Sequence, residues 1–295
     1  MSIPFLKNDS LAPGAVEQTA PGVRRVLCNN PGAFTFRGTN SWIIGQGNSV
    51  AILDPGPVDA AHLDALLAAT KGERITHILV SHTHRDHSPG VAALKAATGA
   101  PSYAFGPHMT PPEQGGEGGD HDFRPDVTLA DGATVAGTDW RVTALHTPGH
   151  CANHLCFALE NASTNRTLFS ADHVMSWSTS VVSPPDGDMA AYMNSLAKLQ
   201  AREDELYLPG HGPPLPNPLP FVAALVAHRR EREARILEEL RRAGRARAEE
   251  LVPPVYGAAL DARLIPAAAR SLTAHLIKLA AEGAVRQEAG LWVVS

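Results

Sequence analysis

Residues 82–87 concentrate three imidazoles and one carboxylate in six positions, as His-Thr-His-Arg-Asp-His. Neutral imidazole nitrogen and carboxylate oxygen are donors that zinc and similar divalent ions accept in proteins. A loop of solvated polar residues is the weaker interpretation of so dense a cluster. The spacing therefore predicts a metal site, with His82, His84, Asp86 and His87 as candidate ligands.

Three later segments each deliver one more donor directly after a predicted strand. They have the sequences Thr-Pro-Gly-His, Ser-Ala-Asp and Pro-Gly-His-Gly, and their donors are His150, Asp172 and His211. Any one of them alone would be a weak signal, but open sheets collect their sites at strand ends. The predicted metal ligands are therefore His82, His84, Asp86, His87, His150, Asp172 and His211.

Short strands bounded by Gly, Pro or Asn must position these donors. The strand predicted over 75–80 ends just before His82, and helices are predicted over 58–69, 90–97 and 189–200. Two strand-rich stretches that each carry helices predict an α/β (α+β) fold, with layers of sheet covered by helices. The other predicted strands are 23–27, 41–45, 49–53, 127–129, 133–135, 141–145, 155–159, 167–169 and 206–208.

Proline occupies five of the positions from 213 to 220, and this change of composition predicts a domain boundary. We expect a catalytic domain over 1–215 and a smaller domain over 216–295. In the second domain, helices predicted near 221–240, 246–252 and 266–281 and a hairpin within 285–294 form a winged-helix pattern. Residues 222–295 hold 12 Lys/Arg against 9 Asp/Glu, a net charge of +3, which permits contact with nucleic acid without establishing it.

Composition limits the remaining possibilities. The chain has 295 residues, 44% of them hydrophobic, and a net charge of −5, too mild to argue for a membrane or nucleic-acid partner. Neither a signal peptide nor a spanning segment is expected. Three cysteines without a CxxC pair fit a reducing compartment, so we expect a cytoplasmic protein. The Gly- and Pro-rich stretch 105–126 predicts a long surface loop, with its histidines solvated.

The ordered donor motifs, together with Gly38-Thr39-Asn40 and Ile52-Leu53-Asp54-Pro55-Gly56, resemble the metallo-β-lactamase superfamily. The resemblance implies an αββα sandwich with two metal ions at one edge of its sheets. It places His82, His84 and His150 on one ion, Asp86, His87 and His211 on the other, and Asp172 between them. The residues after position 191 resemble a lactamase-like subfamily with a C-terminal winged helix, whose animal mitochondrial members are endoribonucleases on single-stranded RNA.

Two bound ions, expected to be Zn²⁺ with Mn²⁺ or Fe as alternatives, would lower the pKa of bound water and supply a hydroxide nucleophile near neutral pH. We expect Asp86 to ligate and to orient this nucleophile. Asp54 is a candidate for holding a ligand histidine through its other ring nitrogen. His154 and His173 are candidates for substrate contact, although packed histidines are the commoner finding at such positions. Cys151 is expected to be a buried thiol.

Several substrates remain open for a hydrolase of this kind. They are a phosphodiester in single-stranded RNA, a thioester as in the glyoxalase II (hydroxyacylglutathione hydrolase) branch, and a small ester or lactam. A nucleic-acid-binding regulator with an inactive metallo-domain would predict a damaged donor set, whereas all seven donors are present. A di-iron oxidoreductase would normally bring a flavodoxin-like domain, which the sequence lacks. No membrane partner is expected, and a homodimer stays open.

Overall fold

Alternating apolar side chains build two sheets whose inner faces pack on each other. The computed structural model describes residues 3–114, 118–160, 166–257 and 260–295. Trp42 and Ile44 belong to the core between the sheets, whereas Ile43 belongs to a cluster on the outer face of the first sheet. Successive side chains of a strand point to opposite faces, so one strand serves both layers.

The first sheet has seven strands. Neighbouring strands are antiparallel from the first to the fourth and parallel from the fourth to the seventh. Its spatial order follows the chain. The strands are β1 (Val16–Ala20), β2 (Val23–Leu27), β3 (Asn40–Ile44), β4 (Val50–Leu53), β5 (Ile75–Leu79), β6 (Ser102–Ala104) and β7 (Val127–Thr128).

The second sheet has six strands in the order β13-β12-β11-β10-β9-β8, all antiparallel except for the pair β11–β12. The strands are β8 (Thr134–Ala136), β9 (Arg141–His146), β10 (Leu155–Glu160), β11 (Thr167–Ala171), β12 (Leu206–Pro209) and β13 (Leu215–Pro216). Sheet against sheet therefore forms the centre of the molecule.

Helices cover both outer faces. Helices α1 (Ala60–Ala69) and α2 (Gly90–Thr98) flank the first sheet, with Leu66 and Leu94 in the cluster beneath them. Helix α3 (Met189–Gln200) and the first half of α4 (Pro218–Ala243) cover the second sheet. The order of layers is helix, sheet, sheet, helix, which confirms the expected sandwich.

The C-terminal domain comprises the end of α4, a three-stranded sheet and two helices around a separate apolar core. Its elements are β14 (Arg245–Ala246), α5 (Ala248–Tyr256), α6 (Ile265–Ala281), β15 (Val285–Glu288) and β16 (Leu291–Val294). Phe221 and Leu225 of α4 lie in the core of the second sheet, whereas Ile236 and Leu240 lie in the C-terminal core. One helix thus joins both cores, and the predicted boundary at residue 216 stays a prediction.

The structure departs from the sequence predictions at several elements. Strands β1, β6, β13 and β14 are short or mostly exposed and carry no clear alternation, so they were not expected. Helix α5 continues through Pro253 and Pro254, where the sequence predicted an end at Val252. Buried side chains of Leu251, Val252 and Val255 hold its last turn on the C-terminal core, which outweighs the hydrogen bonds that proline cannot donate. Residues 115–117 of the predicted surface loop lie outside the described residues.

Candidate metal centre

The predicted donors lie on the segments that follow strands β5, β9, β11 and β12. His82 follows β5, Asp172 follows β11, and His211 follows β12. Ala171, which precedes Asp172, has a φ of 43°, a left-handed conformation that non-glycine residues adopt at a cost of about 1–2 kcal/mol. The strained residue therefore lies directly before Asp172, whose carboxylate belongs to the predicted donors.

Three histidines form a first donor group. His84 Nδ1 lies 2.9 Å from His82 Nε2 and 3.0 Å from His150 Nε2. The ring nitrogens that face away are held by the protein, since His82 Nδ1 lies 3.0 Å from Ser81 Oγ and His150 Nδ1 lies 2.6 Å from the Val181 carbonyl. The sequence resemblance had placed the same three residues on one metal ion.

Asp86, His87 and His211 form a second donor group, and these three could also hold an ion. His211 Nε2 lies 3.1 Å from Asp86 Oδ2, and His87 Nε2 lies 3.6 Å from the same oxygen. Asp172 stands between the groups. Its carboxylate oxygens lie 3.6 Å from His87 Nε2, 3.4 Å from His211 Nε2 and 3.6 Å from His150 Nε2.

Asp54 supports the second group from behind, as the sequence suggested. Its Oδ2 accepts a hydrogen bond from His87 Nδ1 at 2.9 Å, while Ser81 donates to both carboxylate oxygens through its backbone N–H and its hydroxyl. This leaves His87 Nε2 directed at the donor cluster. Gly210 allows the close approach, because a Cβ atom there would lie 2.4 Å from Asp172 Oδ1 and 2.8 Å from His87 Cε1.

The two groups differ in electrostatics. Burial, with the neighbouring histidine His150 next in weight, lowers the pKa of His84 to about 3, and burial likewise holds the pKa of His82 well below its ordinary value. Burial also acts to lower the pKa of His211, but the charges of Asp172 and Asp86 outweigh it and raise that pKa to about 10. His82 and His84 are therefore neutral donors, whereas the second group contains charges of both signs.

The donor set fits divalent metal ions. Among the described residues, His87 Nε2, His211 Nε2 and Asp172 Oδ1 are buried without a hydrogen-bond partner, because their close contacts are too long or poorly aligned for a hydrogen bond. Leaving such atoms unsatisfied costs about 1–3 kcal/mol each. Within each set of three, the donor atoms lie within 4.8 Å of one another. A cation would satisfy them together, and imidazole with carboxylate is a donor chemistry suited to zinc.

A cavity of about 350 Å³ opens beside the donors. Asp86, His84, His150 and Asp172 are on its wall, so the donor cluster faces open space on one side. The other lining residues include apolar side chains and two arginines, one of them from helix α6 of the C-terminal domain. They are Phe34, Arg85, His108, Gly118, Met175, Val181, Ser183, Pro185, Asp186 and Arg270.

The other residues singled out in the sequence lie outside the two donor groups. His154 and His173 are fully buried, with the His154 ring centred 5.1 Å from that of His82 and the His173 ring 4.8 Å from that of Tyr192. These positions favour the packed interpretation over substrate contact. His108 was expected to be solvated; instead it is half-buried, lines the cavity and lies 2.9 Å from Thr83 Oγ1. Cys151 is buried, as predicted, and burial raises the pKa of its thiol.

One supporting contact was not expected from the sequence. Arg25 of β2 is buried and pairs through two nitrogens with Asp9, at 2.8 and 3.0 Å, while donating to the Gly212 carbonyl at 3.1 Å. Asn40 donates to the same carbonyl at 2.8 Å. These contacts fix the turn that carries His211. The sequence did contain one signal for this contact, because the strand predicted over 23–27 includes arginines. A strand with both faces covered seldom buries an arginine without a specific partner.

The chain is similar in sequence to known proteins along most of its length. The Metallo-beta-lactamase superfamily matches residues 34–211, and the Beta-lactamase associated winged helix domain matches residues 248–292. An atrochrysone carboxyl ACP thioesterase from Passalora fulva is 34% identical over 279 residues, which covers 92% of this chain and 79% of the relative. A beta-lactamase-like protein 2 homolog from Drosophila melanogaster is 31% identical over 289 residues and covers 92% of each chain.

Two solved structures have the same fold over nearly the whole chain. A beta-lactamase domain protein from Burkholderia ambifaria superposes with a TM-score of 0.78 at 25% identity, covering 99% of this chain and 97% of the other. A metallo-beta-lactamase family protein from Thermus thermophilus has the same fold, with a TM-score of 0.75 at 21% identity over 93% and 99% of the two chains.

Within the described residues, no helix combines the length and the apolar character needed to cross a lipid bilayer. The matched domains confirm the winged helix expected after the catalytic domain. On its sequence matches, its fold and its intact donor cluster, this chain belongs to the metallo-β-lactamase superfamily and is a hydrolase.

Proposed function

We propose that this hydrolase binds two Zn²⁺ ions and cleaves an acyl thioester, with the acyl group seated in the cavity beside the donors. The observation that carries the proposal is the position of Asp86 and Asp172, which belong both to the metal donors and to the cavity wall. The first donor group would hold one ion and the second group the other, with Asp172 shared between them. When bound, such ions supply Lewis-acid stabilisation and a nucleophile at neutral pH.

The thioester preference is supported by relatives. Two relatives that cover 92% of this chain, at 34% and 33% identity, are named atrochrysone carboxyl ACP thioesterases. The cavity agrees with an acyl group, because Phe34, Met175, Val181 and Pro185 form an apolar wall next to the donors. Such a wall would hold a carbon chain or ring and exclude bulk water from the reacting carbonyl.

Asp86 would orient the attacking water. Burial opposes the charged carboxylate, but the charge of His87 and the proximity of His211 outweigh it, so the pKa of Asp86 lies well below its ordinary value. The carboxylate is therefore ionised at neutral pH and can accept a hydrogen bond from water. Its side chain is 28% exposed, on the cavity side.

The leaving group also favours a thioester. Burial lowers the pKa of His108, and hydrogen bonds from Cys151 and Thr110 outweigh burial and lower the pKa of Asp186. Neither cavity side chain therefore holds a proton for a leaving group at neutral pH. A thiol has a pKa near 8.5 and departs as thiolate without such help, whereas the alkoxide released from a phosphodiester needs a proton donor.

Single-stranded RNA is the second candidate. Arg85 and Arg270 both line the cavity, and guanidinium groups match the geometry of phosphate oxygens. Arg270 comes from the C-terminal domain, whose slight excess of positive charge agrees with a polyanion.

The test uses purified protein with its metal content measured. An aromatic acyl thioester of N-acetylcysteamine, S-lactoylglutathione and a fluorescent single-stranded RNA are offered in parallel, with Asp86→Ala as the inactive control. The proposal expects two zinc ions per chain and release of free thiol that Asp86→Ala abolishes. RNA cleavage without thioester turnover would move the assignment to the second candidate. Two bound ions with neither activity would overturn both substrates.

A further inference from the structure

Two consecutive residues in the segment between β11 and α3 hold two predicted metal ligands. Ser180 Oγ donates to the backbone carbonyls of Asp172, at 2.6 Å, and His173, at 2.9 Å. The Val181 carbonyl accepts the hydrogen bond from His150 Nδ1 at 2.6 Å. The position of this short stretch therefore sets both the turn that carries Asp172 and the orientation of the His150 ring.

The stretch is itself held by helix α4. Arg229 Nη2 donates to the Ser180 carbonyl at 2.5 Å, although the two residues are 49 positions apart. The Arg229 side chain is only 4% exposed, and its guanidinium lies 5.1 Å from the centre of the Tyr192 ring. Tyr192 in turn donates through its hydroxyl to the His173 carbonyl at 3.1 Å.

These contacts use the features that distinguish arginine from lysine. Burying a cation is costly unless it has compensating contacts. Here Nη2 donates to the Ser180 carbonyl and the guanidinium faces the Tyr192 ring, while Nε is buried without a hydrogen-bond partner. The planar guanidinium can stack on Tyr192 and still donate along its plane to Ser180. A flexible ammonium group cannot reproduce both contacts at once.

We propose that Arg229 is a positioning residue for the metal centre, which acts through Ser180 and Val181 on Asp172 and His150. Helix α4, which holds this contact, packs in the core of the second sheet and continues into the C-terminal core. The proposal concerns metal binding and is independent of which substrate the enzyme cleaves. Partners that orient a ligand typically contribute 10- to 100-fold to metal affinity.

Helix α4 supplies a matched control one turn further on. Arg232 has the same chemistry, since its guanidinium lies 4.0 Å from the centre of the Tyr256 ring and its Nη1 donates to the Val255 carbonyl at 2.7 Å. Both of those partners belong to α5 in the C-terminal domain. Removing Arg232 therefore removes a chemically equivalent contact without touching the segment that holds Asp172 and His150.

The experiment compares Arg229→Met with Arg232→Met in the full-length protein. Zinc affinity is measured by competition with a chromophoric chelator, and the visible absorption of the Co²⁺-substituted protein reports ligand geometry. We expect Arg229→Met to weaken zinc binding about 10- to 100-fold and to change the Co²⁺ spectrum. Arg232→Met should leave both readouts as in the wild type while lowering the melting temperature. Arg229→Lys should recover part of the affinity.

A second variant covers the case in which Arg229→Met does not fold. Ser180→Ala removes only the hydroxyl that holds the Asp172 and His173 carbonyls, and it should weaken zinc binding in the same direction. Wild-type zinc affinity and Co²⁺ spectrum in folded Arg229→Met, or in Ser180→Ala if the first variant is unfolded, would overturn the proposal. Equal losses in Arg229→Met and Arg232→Met would do the same, because they would reflect general destabilisation.

Discussion

The sheet edge and the C-terminal core both bury histidines, but they surround them differently. In the C-terminal core, His275 Nδ1 lies 3.1 Å from Glu233 Oε1, and Lys278 donates to the other oxygen of Glu233 at 3.0 Å. At the sheet edge, His84 Nδ1 lies within 3.0 Å of nitrogens from two other rings. In the C-terminal core, hydrogen-bond donors face a carboxylate acceptor. At the sheet edge, ring nitrogens that could each bind a cation face one another.

This difference separates a structural histidine from a metal ligand. One ring nitrogen carries either a proton or a lone pair, so His84 Nδ1 can satisfy only one of its two neighbours at a time. A cation between the three nitrogens would satisfy all of them. Around His275, in contrast, Glu233 and Lys278 compensate each other's charge, and the local network is complete on that side without an ion.

The largest expected effect is at Asp172. Its carboxylate lies within 3.6 Å of ring nitrogens from both donor groups, so Asp172→Ala should remove the group that we propose to be shared between two ions. We expect kcat/KM for the proposed thioester substrate to fall on the order of 10³-fold, with fewer than two metal ions per chain. Kinetics and metal analysis measure the two effects.

The matched change in the other region is Glu233→Gln, which breaks the pairing with His275 and Lys278. It should leave kcat/KM within about twofold and the metal content unchanged, while costing about 1–3 kcal/mol of stability. If Glu233→Gln reduced the metal content as Asp172→Ala does, the distinction between the two regions would be wrong.

The next effect is on stability alone. Leu276 is fully buried in the C-terminal core, so Leu276→Ala should lower the free energy of unfolding by about 2–5 kcal/mol through lost burial and a cavity. Zinc affinity at 25 °C should stay at the wild-type value, because Leu276 contacts none of the donors. Urea denaturation and chelator competition on one preparation test this, and a folded variant with weakened zinc binding would contradict it.

The sequence was sufficient to predict the donors at the sheet edge and several of the elements around them. The donors at the sheet edge follow strands with local apolar patterns, and strand ends that meet at one edge bring them together. Helix α3 was predicted with the bounds that the structure has, 189–200, because its apolar spacing is a local signal. Asp54 could be proposed as a support because it directly follows the strand predicted over 49–53 and belongs to a motif that resembles the superfamily.

The supports beyond Asp54 could not be predicted in this way. Arg25 meets Gly212 across 187 positions, and Arg229 meets Ser180 across 49. Neither contact leaves a periodic pattern, because each depends on how complete elements pack rather than on neighbours in the chain. On helix α4, the arginine that supports the metal centre resembles the solvated arginines around it in sequence, and burial alone distinguishes it.

Asp54 offers a smaller perturbation of the sheet edge. Asp54→Asn replaces an acceptor of three hydrogen bonds, from His87 and from two donors of Ser81, with a group that must turn an N–H toward one of them. Zinc binding should weaken about 10- to 100-fold. Thr147→Val is the control, because Thr147 Oγ1 lies 2.9 Å from Nδ1 of the buried His154, outside the donor groups. Its zinc affinity should equal that of the wild type.

The prediction with the smallest effect concerns a buried histidine in the catalytic domain. It tests whether the local contacts of a histidine, rather than the domain in which it lies, decide whether it binds metal. His62 lies in the catalytic domain but resembles His275, since it is buried and its Nε2 lies 2.7 Å from Ser41 Oγ. Burial lowers the pKa of His62 from 6.5 to about 4, although the charge of Asp59 opposes the shift. The unfolded chain therefore binds this proton more readily, so the contribution of His62 to stability is complete above pH 6.5 and is lost as the pH falls toward 4.

His62→Gln should remove this proton linkage and leave zinc affinity unchanged. Between pH 7.5 and pH 5.5 the wild type should lose about 1 kcal/mol more unfolding free energy than the variant, because most of the proton uptake by the unfolded state has occurred by then. Urea denaturation at the two pH values measures the difference, in which the titrations common to both proteins cancel. An identical pH dependence would mean that the pKa of His62 is the same in the folded protein as in the unfolded chain, and a loss of zinc affinity would place His62 with the metal donors after all.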